Sequence, residues 1–511
     1  MNLDSWIIPN PAPSGNSAYK TALPASLAGL TAVACFLWLS RPFQFPFDDS
    51  YIILEFARNL AATGHLTYDG VHTIAGASGV LHIILLSIPA RLGFPLEMAN
   101  LVIGILFFVL LIERTAALAM RLTQSLTASL YAALATALTG YLVYDALNGM
   151  ETTLFMFLTV TCIASVIRSC AEGKGYGWSA FWIFLTVMGR PEGIWFSGSL
   201  ILYLAVLGLR QRQEISKLAK LALFLCGGVL VGLLALRIVQ GGFTPHAALA
   251  KVYFYNQFRH SLHWRLWTYQ HNLSMIWSII VLSLLPLVWA RKARPLLLII
   301  LPWVVVTQFM FIMLLPMEVS SYEGRYLHPF MPILFVLAGD GVNNLWHATG
   351  RFRIPRVATA VLLAFIAAIA FLNLETILGN YHNDKTIILN NDIWASDWLK
   401  AHAPASSRVA AYDIGALRFY GRYELVDLCG LTNQEVTEIN HAQKGQVDYL
   451  LGKRPDYLVG DDIWLKTYFH FDPAKHSCVS DVAKAHTNAL TTIQFHIYHL
   501  QWDQNIDGCR R

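Results

Sequence analysis

The sequence predicts a polytopic α-helical membrane protein of about eleven spans, followed by a C-terminal extracytoplasmic α/β domain. Three observations carry this. Of its 511 residues 55% are hydrophobic and only 14% charged, against about 25% charged in an average soluble domain. Apolar runs long enough to cross a bilayer, ~20 residues each, recur along the first three quarters of the chain. After residue 374 the character changes: 375–511 holds 17 acids and 13 bases, whereas 1–374 holds 15 acids and 24 bases. Such a composition excludes an ordinary soluble enzyme, a disordered chain and a fibrous one, and no basic face points to nucleic acid.

Taken in order, the runs fall at about 22–40, 98–119, 124–144, 152–168, 178–190, 193–209, 218–238, 273–290, 295–315, 329–345 and 357–374. Arg190-Pro191 separates the fifth from the sixth, since proline removes a helical N–H and restricts the residue before it. The first run lacks a small-residue cleavage site and reads as an anchor. With Lys20 in the cytoplasm, Arg114, Arg121, Arg168, Lys174, the bases of 210–220, those of 291–294 and those of 351–356 are cytoplasmic too. That is 15 of the 24 bases of residues 1–374, as the positive-inside rule requires. Residues 79–92 are apolar but short and contain Pro89; they read as an interfacial helix on the outer face within loop 41–97.

An odd number of spans places 375–511 outside the cytoplasm, so the expected domains are 1–374 and 375–511. Within the tail, helical spacing covers Ile393–His402, and strands are expected at Arg408–Tyr412, around Leu425-Val426, at Tyr457–Val459 and at Thr491–Leu500. Asp413 and Asp427 follow strands and read as turn formers. Of seven cysteines, Cys478 and Cys509 lie in this tail, where an oxidising compartment permits a disulfide.

Charged residues cluster in the outer loops. Asp48-Asp49 opens an amphipathic stretch that includes Arg58 and leads to Tyr68; adjacent carboxylates beside a membrane are costly unless solvated, paired or used. They fit a helix cap and equally a general base for an incoming hydroxyl. Glu151 follows Asn148-Gly149-Met150 and either complements a helix dipole or faces the same cavity. Arg190 with Glu192, Lys251 after Thr244-Pro245-His246, and Tyr322-Glu323-Gly324-Arg325-Tyr326-Leu327-His328 complete the outer face. Arg and Lys there serve as interfacial anchors or as phosphate ligands.

The run Asp48-Asp49-x-Tyr51-Ile52, Ala57-Arg58-Asn59-Leu60 and Gly64-His65-Leu66-Thr67-Tyr68 resembles the first outer loop of GT-C glycosyltransferases. It is most similar to the polyprenyl-phosphate-arabinose-dependent group that includes the mycobacterial terminal β-arabinofuranosyltransferase. Segments 148–152, 190–193, 245–251 and 324–329 resemble that group's later motifs in the same order, and Asp413-Ile414-Gly415-Ala416 with Val426-Asp427-Leu428-x-Gly430-Leu431 resembles its outer domain. The resemblance implies a GT-C fold in a bacterial cytoplasmic membrane with its site facing the periplasm. There a sugar, arabinofuranose first, would pass from a polyprenyl-phosphate donor to a hydroxyl of a glycan, lipid or protein acceptor, with inversion. It implies Asp48 as base and Asp49 as its neighbour, with Arg325, Lys251 and Arg190 on the donor phosphate. Glu151, Glu323, Tyr68, Tyr322, His328 and Arg58 would bind sugar or acceptor. No metal or other cofactor is expected to be required, although Asp48, Asp49 and Glu151 have the oxygen chemistry that suits Mg²⁺. A lipid-linked sugar flippase, or a GT-C enzyme using another sugar such as mannose, is the alternative.

Overall fold

The computed structural model describes residues 16–72, 74, 76, 78–243, 246–255, 261–275, 288–315, 321–348, 372–442, 444–485 and 494–502. Its larger part is a helical bundle. Helices α1 (Asn16–Leu39), α4 (Leu96–Thr123), α7 (Thr152–Glu172), α9 (Gly193–Arg210), α10 (Ile215–Gln240) and α13 (Leu297–Leu314) are six spans long and apolar enough to cross a membrane. The pair α5 (Leu126–Leu138) and α6 (Gly140–Leu147) makes a seventh if counted as one. The shorter α8 (Tyr176–Gly189) occupies the fifth expected position and α14 (Met331–Ala348) the tenth. Most of the runs 273–290 and 357–374 lies outside the described residues.

Two local breaks differ in how legible they are. α8 ends at Gly189, Arg190 is extended (φ −157, ψ 153) and α9 begins at Gly193, as the Arg-Pro pair demands. The third expected span, by contrast, is bent by 55° at Thr139, although no proline or charge marks the place. Gly140 follows the break, and Asn373 compensates it: its Oδ1 accepts from the freed Gly140 N–H at 3.2 Å, so the lost helical bond is replaced by a residue more than two hundred positions away.

At one end of the bundle the helix termini gather their bases. Arg121 lies 3.8 Å from Glu172, Lys292 Nζ donates to the Thr123 carbonyl at 2.8 Å, and Ser125 donates to Asn343 at 2.6 Å. At the opposite end sit α2 (Asp48–Thr63) and α3 (Val80–Arg91), the latter matching the short apolar helix expected at 79–92. α3 packs on α2 and α4.

The tail adds a five-stranded sheet of order β2-β1-β3-β5-β4, built from β1 (Arg408–Ala411), β2 (Glu424–Asp427), β3 (Tyr457–Asp461), β4 (Val479–Lys484) and β5 (Phe495–Leu500). β1 pairs in parallel with β2 and β3, Val409 facing Leu425 and Tyr457. Parallel neighbours need a crossover, which the helix Gly415–Gly421 supplies between β1 and β2. β4 escaped the sequence reading because its residues are mostly exposed and lack the apolar alternation that marked β5. The helix expected at Ile393–His402 runs over Trp394–His402 behind a π-helical turn. Cys478 is disulfide-bonded; Cys509 lies outside the described residues.

Candidate functional site

Asp48 and Asp49 occupy the first turn of α2, behind the extended residue Phe47. Successive helical positions point about 100° apart, and the two carboxylates part accordingly. Asp48 Oδ2 accepts from the Gly415 N–H and Oδ1 from the Ala416 N–H, both at 2.7 Å. It thereby caps the first turn of the crossover helix in the C-terminal domain rather than its own. Gly415 is required by this contact, since a Cβ there would lie 2.1 Å from the Asp48 carbonyl oxygen. Burial pushes the Asp48 carboxyl up to about 6, the two amides pulling against it and Asp49 adding to it. Behind it, burial and the neighbouring carboxylates push Asp392 and Asp413 well above the usual range.

Asp49 faces the other way, into a cavity of ≈ 150 Å³. Its Oδ2 lies 3.3 Å from Lys251 Nζ and 3.6 Å from Arg325 Nη2. Arg190 lines the same cavity, paired with Glu192 at 2.9 Å and, beneath the wall, with Glu151 at 3.6 Å. Among the described residues the buried Arg190 Nη1 has no hydrogen-bond partner. The guanidinium carbons of Arg190 and Arg325 lie 5.1 and 5.0 Å from the Tyr326 ring. Trp195, Met310, Phe311 and Leu314 form an apolar wall beside these charges.

Each cation arrives by its own route. Lys251 rides on α11 (His246–Tyr255), which docks on the C-terminal domain: His246 Nε2 meets Thr437 Oγ1 at 2.8 Å, and the Tyr253 ring lies 4.2 Å from that of His441. Arg325 follows two left-handed residues, Glu323 (φ 60) and Gly324 (φ 74). That turn is pinned from behind by His328, fully buried, whose Nδ1 meets Asp145 Oδ2 at 2.7 Å and whose Nε2 meets the Glu323 carbonyl at 3.0 Å. Both ring nitrogens are thereby held by oxygen atoms, which fixes the ring beneath the turn. Lys251 and Arg325 are thus held by partners that no spacing along the chain reveals.

Of the residues singled out from sequence, Asp49, Lys251, Arg190 and Arg325 converge on the cavity, with Glu151 directly behind Arg190. The others do not line it. Asp48 is spent on backbone amides. Tyr68 is buried and donates to the Ile414 carbonyl at 2.8 Å. Arg58 pairs with Glu55 at 2.8 Å and covers the Phe419 ring. Glu323 accepts from Asn380 at 3.0 Å, and His328 lies under the turn. The Tyr322 side chain lies outside the described residues. Asp427 is the expected turn former, accepting the Cys429, Gly430 and Thr432 N–H groups. Sequence reasoning missed the apolar wall, which carried no signal beyond hydropathy, and named Tyr326 only as part of its loop, with no role. Asp48, Asp49 and Glu151 do not converge on a common point, and no group of three or more His, Cys, Asp or Glu among the described residues could hold a metal.

A family model described as "Domain of unknown function (DUF8728)" matches residues 385–501. No curated protein matches the chain. Among solved structures, the chain is similar to ArnT from Cupriavidus metallidurans bound to undecaprenyl phosphate, at TM-score 0.60 and 13% identity over 92% of this chain and 97% of that one. It is similar to the Archaeoglobus fulgidus oligosaccharyltransferase in the apo form, at TM-score 0.59 and 12% identity over 88% and 70%. The same archaeal protein, AglB, in complex with an inhibitory peptide and a dolichol-phosphate, matches at TM-score 0.54 and 12% identity over 88% and 70%. These neighbours are GT-C glycosyltransferases, and the chain has their GT-C fold with a small C-terminal sheet domain.

Proposed function

We propose that the protein is a membrane glycosyltransferase that moves a sugar from a polyprenyl-phosphate donor to an acceptor hydroxyl. One observation carries the reading: Asp49, Arg190, Lys251 and Arg325 come from distant segments to one cavity flanked by the apolar wall of Trp195, Met310, Phe311 and Leu314. A lipid phosphate needs just such a pairing of cations with an apolar lane. Solved proteins of the same fold hold undecaprenyl phosphate and dolichol-phosphate.

In this reading the donor phosphate takes Lys251 and Arg325 from Asp49, and Arg190 Nη1, which has no hydrogen-bond partner among the described residues, adds a donor. Asp49, freed, accepts the proton of the acceptor hydroxyl. The acceptor oxygen forms its bond to the anomeric carbon as the bond from that carbon to the phosphate oxygen breaks, with inversion. The electron pair leaves on the phosphate, where the cations meet the charge. The base is therefore Asp49, and Asp48 is a positioning residue that locks α2 to the C-terminal domain. The sugar is arabinofuranose, from the motif resemblance, with mannose as the alternative. In this reading the cavity faces the periplasm across a bacterial cytoplasmic membrane, which the gathering of bases at the opposite end of the bundle supports.

The test is purified protein with a panel of polyprenyl-phosphate sugars, arabinofuranose first, and product detection by mass spectrometry. Asp49→Asn should lower kcat by about 10²–10⁴-fold, the range for a general base, while donor affinity holds or tightens because a competing carboxylate is gone. Unchanged turnover in that variant refutes the base. Movement of labelled lipid between leaflets with no glycosylated product from any donor refutes the enzyme.

A further inference from the structure

The end of the bundle opposite Asp49 contains a second cavity, ≈ 580 Å³, enclosed by the start of α1, the last turns of α4 and α7, and the start of α8. Its lining includes Arg114, Arg121, Arg168 and Lys174, with Glu172 as its one acid. Three of the cations lean on that single carboxylate: Arg168 at 2.8 Å, Arg121 at 3.8 Å and Lys174 at 4.0 Å. Arg114 has no acidic partner among the described residues. It precedes Arg121 by two turns of α4, so it sits roughly 10 Å deeper along a membrane-spanning helix. Cationic loops on one face follow from topology alone. That rule does not account for four cations converging on one cavity.

An aromatic groove adjoins the cavity. Gly175 and Trp178 line both, and Tyr176, Phe181 and Phe224 complete the groove. Trp178 is 66% and Phe181 43% exposed, an uncovered aromatic strip on helices that flank the bilayer. A strongly cationic pocket opening sideways onto an apolar groove matches a molecule with an anionic head and a hydrocarbon tail.

We propose that this cavity binds an anionic phospholipid of the leaflet opposite the Asp49 cavity. Its phosphodiester would lie among Arg114, Arg121 and Arg168, and an acyl chain would follow Trp178, Phe181 and Phe224. The groove is what favours a lipid over a free phosphate. The site is independent of the sugar-transfer reading.

The full chain, delipidated by detergent exchange, is titrated with dioleoyl phosphatidylglycerol or dioleoyl phosphatidylcholine and bound lipid is counted by native mass spectrometry. The wild type should prefer phosphatidylglycerol, and each cation removed should reduce that preference about five-fold, from ~1 kcal/mol per basic residue near a lipid surface. Arg114→Gln probes the deep position. Arg168→Gln, with 63% of its side chain exposed, probes the rim without threatening the fold. Trp178→Ala should weaken binding of both lipids. Equal retention of the two lipids by wild type, or a preference unmoved in both arginine variants, overturns the proposal. So does loss of the preference in millimolar inorganic phosphate, which would make the site one for a free anion.

Discussion

Asp48 makes a stability prediction whose sign is set by its environment. Its carboxyl is buried and pushed from 3.8 to about 6, so the folded state holds a proton that the unfolded chain releases near its ordinary value. Between those two values the native protein binds more protons, and folding stability falls as pH rises. The stabilisation is complete below about pH 4 and lost by the time pH has passed 6. A shift of about two units corresponds to roughly 3 kcal/mol, an upper figure for one site. Asp48→Asn removes the titration, but its NH₂ group cannot accept from Gly415 or Ala416, leaving one buried amide unsatisfied at about 1–3 kcal/mol. Wild type should therefore be the more stable protein at pH 4, and the gap should close or reverse by pH 8. Asp392 and Asp413 are repelled by the Asp48 charge, so removing it weakens their pH dependence too and reinforces the sign. Tryptophan-detected thermal unfolding of both proteins in one detergent across this range measures the gap. A gap that is constant, or that widens with pH, refutes the assignment of Asp48 as a desolvated acid held by the crossover helix.

Other outcomes follow from the same geometry. Gly415→Ala forces a Cβ to within 2.1 Å of the Asp48 carbonyl; the C-terminal domain should undock from α2, seen as faster proteolysis between 375 and 415 while the helical bundle stays intact. His328→Ala removes the hydrogen bonds to Asp145 and to the Glu323 carbonyl and leaves a buried carboxyl oxygen unsatisfied, which should cost about 1–3 kcal/mol; a loss of unfolding free energy below about 0.5 kcal/mol would mean the contact is not formed. Lys251→Ala and Arg325→Lys should each weaken donor binding at least several-fold, the second because a lysine cannot reproduce the planar fork; titration with undecaprenyl phosphate tests both.

Much of the architecture was legible in the residue order. Apolar runs, the Arg190-Pro191 break and the one-sided distribution of bases are local properties, and hydropathy or proline chemistry acts on them wherever they sit. The strands β1, β2, β3 and β5 were legible for the same reason, each carrying its own apolar pattern. The Thr139 bend was not, because a lone Gly140 is a weak signal and the group that satisfies its freed N–H is the distant Asn373; the span runs 273–290 and 357–374 fall mostly outside the described residues.

The site divides the same way. The charged segments that line the cavity were visible in one dimension, as an acid pair, an Arg-Pro-Glu-Gly and a Gly-Arg-Tyr. Which aspartate of an adjacent pair faces the cavity was decided elsewhere. Neighbours on a helix diverge by about 100°, and it is the amides of Gly415 and Ala416, folded back from the far end of the chain, that claim Asp48 and leave Asp49 to Lys251 and Arg325. His328 shows the converse: a polar residue in an outer loop whose chemistry suggests contact with substrate, but which packing has turned inward onto Asp145. Composition and spacing determine which groups are available, whereas the direction each one faces is a property of what packs against it.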